Sequence, residues 1–144
     1  MNIQFKRAII TMGLFAALLL FLVIDFAVVG EDGFLERGNF VMTAVIIFLT
    51  MAVFFLMLLV TNKKDNIVDE RDNAIQQKAT SVALLVTTMF VFLVCITLFI
   101  ANENVGSIHI SWTWLLAYLT FAMAYFSSSA IIVLLYGLDR YAQE

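Results

Sequence analysis

Four apolar runs, at residues 8–29, 40–60, 81–101 and 112–138, constrain this chain more than anything else in it, and each is at least 21 residues long. A helix rises about 1.5 Å per residue, so each run is long enough to cover the roughly 30 Å hydrocarbon core of a bilayer. Backbone amides left unpaired in that core are intolerable. The runs also lack the polar–apolar alternation of barrel strands, which leaves helices. Composition agrees: the 144 residues are 63% hydrophobic and 13% charged, with no Pro to interrupt a helix. A soluble domain is about 45–50% apolar and about 25% charged, and a globule this small cannot hide such an excess. The expectation is an all-α integral membrane protein, a single domain over residues 1–144 with four transmembrane helices in an antiparallel up-down bundle.

Lys6 and Arg7 precede the first run, as they would in a secretory signal. That run exceeds the about 7–15 residues of a signal core, and Gly30-Glu31-Asp32 is a poor cleavage site, so a retained signal-anchor helix is expected. The single cysteine, Cys95, lies within a span and allows no intramolecular disulfide. Sidedness follows from the basic residues. Lys6, Arg7, Lys63, Lys64, Arg71, Lys78 and Arg140 fall on one side and Arg37 alone on the other, seven against one. Lys and Arg collect on the cytoplasmic side, which places both termini and the middle loop inside a cell (plasma) membrane. The connections "GEDGFLERG", read as a tight glycine-bounded turn, and "NENVGSIHIS" are then external. Trp112 and Trp114 suit the outer aromatic belt, with Tyr136 and Tyr141 as their inner counterparts.

The polar exception is "NKKDNIVDERDNAIQQKA", residues 62–79, which carries eight of the nineteen charged side chains. Residues 62–68 read as a turn and Asp69 as a helix N-cap. Glu70 and Asp72 then place negative charge in the first turn, where it complements the helix dipole. No breaker separates this segment from the third apolar run. Helix three is therefore expected to start near Asp69, end near Ala101 and extend into the cytoplasm as a stalk. Val68, Ile75, Val82 and Met89 recur every seven residues, with Ala79 and Val86 four beyond the second and third, so one face should continue the bundle interior. Ile75 and Ala79 are the expected packing residues, against the inner end of helix four around Tyr136–Tyr141. Arg71, Gln76, Gln77 and Lys78 are left for solvent, headgroups or a partner. The plain alternative is a solvated helix end held by interfacial charges. No phosphate-cradling glycines and no nucleophile–base spacing occur here.

The run "DERDNAIQQKA", with Asp69, Glu70, Arg71, Ile75, Lys78 and Ala79, resembles a segment recurring in a family of small prokaryotic four-helix membrane proteins of unknown function. Members carry an Asp-Glu-Arg-led helix before the third span and are often encoded beside helix-turn-helix regulators. The resemblance implies no enzymatic activity and favours a regulatory or partner-holding role.

Asp25 is the ionisable residue inside the first span, and such a residue is a functional candidate by default. Its position about 26 Å beyond Ala8 puts it near the outer interface, which favours an interfacial or hydrogen-bonded structural carboxylate. A buried tie to hydroxyls on another helix and a proton or cation site are the alternatives. His109, with Asp25, Glu31 and Glu103, could in principle form an outward metal site. The four have no ligand spacing, so a plain loop histidine is the favoured reading. On helix four, Thr120, Ala124 and Ser128 are spaced by four and make a small-residue seam for close helix approach, and Gly13 and Ala17 offer a shorter one on helix one. Ser127, Ser128 and Ser129 cannot all face one partner, so some should bond back to carbonyls one turn earlier.

These readings lead to a non-enzymatic membrane protein with no catalytic residue, metal site or cofactor. It would hold a cytosolic regulatory protein, such as a helix-turn-helix regulator, through residues 62–79, with Asp69, Glu70, Arg71, Gln76 and Lys78 as the contact residues. The bilayer is its other partner, a homo-oligomer is compatible with the seams, and no direct nucleic-acid binding is expected. The alternative is a small homo-oligomeric transporter or ion-coupled carrier using Asp25, and a third reading is a structural membrane subunit.

Overall fold

The computed structural model describes residues 3–62 and 70–141, with side chains over 4–60 and 70–138. Four helices account for them: α1 (Ile3–Phe34), α2 (Arg37–Asn62), α3 (Glu70–Asn102) and α4 (Ile110–Tyr141). All four are long and apolar enough to cross a membrane. Residues 63–69, and with them the expected Asp69 cap, the 63–68 part of the turn and Val68, lie outside the described residues, as does the side chain of Arg140.

Consecutive helices run antiparallel. Phe5 of α1 meets Tyr136 of α4 at one end, with ring centroids 6.0 Å apart, and Phe26 meets Trp112 at the other, 4.6 Å apart. The substantial contacts among the described residues join α1 to α4, α3 to α4 and α1 to α2, giving the spatial order α2–α1–α4–α3. Both described chain ends and the two sides of the middle loop therefore share one end of the bundle, called here the termini end.

The core forms where α1 meets α4. Ala8, Thr11, Phe15, Leu18, Leu22, Asp25 and Phe26 are buried on α1, following the alternating three-and-four spacing that keeps one stripe facing a neighbouring helix. Phe15 is wholly buried, stacked on Tyr125 at 4.9 Å and set edge-on to Phe54 at 5.6 Å. Large apolar side chains elsewhere, among them Leu20, Val28, Phe48, Phe55, Leu84 and Phe99, are exposed. That is an apolar girdle no water-soluble monomer of this size would carry.

Two expectations are corrected. The stretch "GEDGFLERG" is mostly helical, and only Leu35 and Glu36 separate α1 from α2. Gly30 marks a kink within α1, at φ 77° and ψ 177°, rather than its end. The helical turn beyond the kink is closed by Glu36 N–H to Gly33 O at 3.1 Å and by Asn39 Nδ2 to the same carbonyl at 2.9 Å. The second correction concerns the stripe on α3. Its buried residues are Ile75, Ala79, Ala83 and Thr87, spaced by four, while Val82 and Met89 of the seven-residue series are exposed. Lipid solvates large apolar side chains as well as a protein interior does, so close helix packing selects the small residues instead.

Candidate functional site

The polar start of α3 is not a lone projection. With 33 residues it is matched by α1 and α4 at 32 each, so the ends of these two helices run beside it. Ile75 and Ala79 are buried, as their position in the stripe requires, and the Tyr136 hydroxyl of α4 donates a hydrogen bond to Asp72 Oδ1. Asp72, placed by the sequence in the first turn of α3, is thus a polar tie on the inward side. Glu70, Arg71, Gln77 and Lys78 are exposed. At about 100° per residue, Arg71 and Lys78 share one flank of the helix, while Gln76 sits on the opposite flank.

That opposite flank borders a cleft of about 200 Å³ walled by all four helices. From α1 come Gln4, Arg7 and Thr11, which share one helix face at spacings of three and four. From α3 come Asp72, Ile75 and Gln76, from α4 Tyr125, Ser128, Ser129 and Tyr136, and from α2 Phe54 and Leu58. Phe54 and Tyr125, with ring centroids 5.2 Å apart, are its aromatic lining toward the middle of the bundle. Ser129 Oγ is spent on the Tyr125 carbonyl at 2.8 Å. The hydroxyls of Thr11, Tyr125 and Ser128 have no hydrogen-bond partner among the described residues, although Thr11 is only 5% exposed. Buried polar groups are nearly always satisfied, so the buried Thr11 hydroxyl, with those of the half-buried Tyr125 and Ser128 beside it, marks the cleft as a place for polar matter.

The seam on α4 is partly used as expected. Ala124 and Ser128 border a groove with Thr80, Ala83 and Thr87 of α3, whereas Thr120 bonds to Leu116 O at 2.7 Å. Ser127 is the serine that meets α3. Its proton goes to Met123 O at 2.7 Å, which makes Thr87 the donor in the 3.4 Å contact between their hydroxyls. Ser127 and Ser129 both bond back one turn. The Gly13–Ala17 seam is not used: both residues are exposed, and a Cβ built on Gly13 would touch nothing.

Asp25 is buried, at 8% exposed, and accepts a hydrogen bond of 3.1 Å from Thr43 Oγ1 of α2, itself 1% exposed. Of the alternatives read from the sequence, this geometry is the tie to a hydroxyl on another helix rather than a water-accessible carboxylate. The same end of the molecule holds a polar cluster that spacing does not reveal. Ser111 is wholly buried and donates to the Glu31 backbone carbonyl at 2.5 Å, just past the Gly30 kink. Trp112 Nε1 donates to Glu31 Oε1 at 2.8 Å. His109 contacts Ser111 Oγ through Nδ1 at 2.6 Å and Asp32 through Nε2 at 3.6 Å. Glycine at position 30 was the one visible signal for it, because a kinked helix end frees carbonyls that a neighbour must satisfy. Among the described residues no three His, Cys, Asp or Glu side chains come together to hold a metal.

No protein-family model, curated protein or solved structure matches the chain, so the resemblance carried by "DERDNAIQQKA" rests on those residues alone.

Proposed function

We propose that this is a non-enzymatic multi-pass protein of the cell membrane, with both termini and the 62–80 segment in the cytoplasm, which holds a cytosolic regulatory protein against the polar start of α3. The observation that carries this reading is the way that start is anchored. Ile75 and Ala79 are buried and Asp72 is tied to Tyr136, which fixes the rotation of the helix. Glu70, Arg71, Gln77 and Lys78 are then held on an outward, charged and helical surface beyond the apolar spans. Such a surface is preorganised, so a partner loses little ordering entropy on docking. The seven-to-one distribution of basic residues supports the sidedness. A helix-turn-helix regulator is the partner class that the resemblance suggests.

The test is in-cell photo-crosslinking from position 77, with Leu84 as a lipid-facing control. A discrete cytosolic protein with a helix-turn-helix domain should be trapped from 77 and not from 84. The double change Arg71→Glu, Lys78→Glu should abolish trapping while the chain stays folded and inserted. Equal trapping after the charge reversal would overturn the assignment.

A further inference from the structure

We infer that the groove between α1 and α3, at the end of the bundle opposite the termini, is a binding site for a lipophilic cation. The ligand is an amphiphile with an ammonium head and an alkyl tail, and it enters from the surrounding leaflet. The order α2–α1–α4–α3 makes α4 the floor of this groove and α1 and α3 its walls. Val23 and Phe26 stand on one wall and Phe90 and Val94 on the other, above Leu119 and Met123. The apolar part encloses about 600 Å³, within the roughly 300–1,000 Å³ of small-molecule sites. Its floor runs from Trp112 to Met123, about 16 Å of helix and close to half the roughly 30 Å hydrocarbon core. A tail of single-leaflet length is matched.

The mouth of the groove carries the charge. A second hollow of about 450 Å³ adjoins the first, shares Glu31, Val94 and Trp112 with it, and adds Thr97 and Asn102. Thr97 and Asn102 donate to Leu93 O and Leu98 O on their own helix, which leaves Glu31 as the charged group of the lining. Glu31 is held from two sides: its carbonyl accepts from Ser111 Oγ and its Oε1 from Trp112 Nε1 at 2.8 Å. Its Oε2 has no partner among the described residues. A fixed carboxylate with a free oxygen, beside an indole ring, holds an ammonium by charge and by cation–π attraction. The surroundings select against a zwitterion. Asp32, Glu36 and Glu103 are exposed at the same end, His109 is engaged by Ser111 and Asp32, and Arg37 is absent from the lining. An anionic group beside the ammonium would meet carboxylates and no basic partner, whereas a lone cation meets only the opposite sign.

The test uses the full chain in phosphatidylcholine nanodiscs, with empty discs as the blank. Radiolabelled dodecyltrimethylammonium is the probe, dodecanol the neutral control with the same tail, and tetramethylammonium the head alone. Binding is read by equilibrium dialysis below micelle-forming concentrations. Saturable binding of the probe is expected, with each control weaker by at least about tenfold, as loss of the charged contact or of the buried tail would give. Glu31→Gln keeps an acceptor for Trp112 Nε1 and should weaken binding by more than about tenfold. Val94→Trp fills the groove without touching the carboxylate and should abolish binding. Glu103→Gln removes an exposed charge outside the lining and should change binding by less than about twofold, because water and salt screen it. If Glu31→Gln inserts poorly, the two control compounds and Val94→Trp decide the case. No saturation above the blank, equal binding of dodecanol, survival of binding in Val94→Trp, or an equal effect of Glu103→Gln would each overturn the site. So would a dimer, seen by native mass spectrometry, that binds no cation and dissociates in Val94→Trp, since it would assign the groove to a second copy of the chain.

Discussion

Gly30 and Gly13 look alike in the sequence, each a glycine inside a long apolar run, and the structure gives them opposite roles. Gly30 holds φ 77° and ψ 177°, a region essentially reserved for glycine, and no atom lies within 4 Å of a Cβ placed there. The strain of a substitution is therefore purely in the backbone. Gly30→Ala should cost about 1–3 kcal/mol of stability in thermal or SDS unfolding. Gly13→Ala, in regular exposed helix, should be neutral or stabilising by up to about 1 kcal/mol. The Asp25–Thr43 pair makes the second prediction at this scale. Thr43→Val leaves a buried carboxylate without its donor and should cost about 1–3 kcal/mol. Asp25→Asn should be milder, because the amide oxygen can still accept from Thr43. The same variant tests the carrier alternative, since a pH-dependent solute flux abolished by Asp25→Asn would displace the structural role argued for it. Asp25 was legible as an exceptional residue, but its partner was not. Thr43 lies eighteen positions away on another helix, and only the α1–α2 packing register selects it from the hydroxyls of α2.

At the scale of the element, the helices themselves could be read closely. The third was expected from near Asp69 to near Ala101 and runs Glu70–Asn102, because charge, cap and apolar run all point to one unbroken helix. The faces were harder to read. Among side chains that lipid and protein solvate equally, periodicity of bulk carries no information about burial, so Val82 and Met89 were misplaced while Ile75 and Ala79 were not. The last two lie in the polar segment, where water is the competing solvent and an apolar residue does report the inward face. This distinction predicts mutational behaviour. Ala83→Leu, in the tight α3–α4 contact, should overpack and cost about 1–3 kcal/mol. Met89→Ala, on the exposed side, should be close to neutral. Ile75→Asp places an uncompensated charge in the stripe and should release the α3 start from Tyr136, visible as faster backbone amide exchange over 70–79.

For the whole molecule, the apolar runs foretold four helices long and apolar enough to cross a membrane, and they could not supply the order α2–α1–α4–α3. That order decides which polar residues meet. With α4 between α1 and α3, Thr11, Ser128 and Asp72 face one cleft, although they lie far apart along the chain. No spacing rule links them, which is why the cleft was invisible in the sequence while the charged surface beside it was plain. The proposed partner surface depends on one claim: that the polar start of α3 is a fixed helix packed on α4, on the cytoplasmic side. Single-cysteine accessibility across positions 70–79 in a Cys95→Ser background tests it most directly, with a membrane-impermeant thiol reagent applied to sealed cells and to inverted vesicles. No labelling is expected from outside. In inverted vesicles a helical pattern is expected, with 70, 73, 77 and 78 reactive and 72, 75 and 79 protected. Labelling of sealed cells, or uniform reactivity at all ten positions, would contradict it.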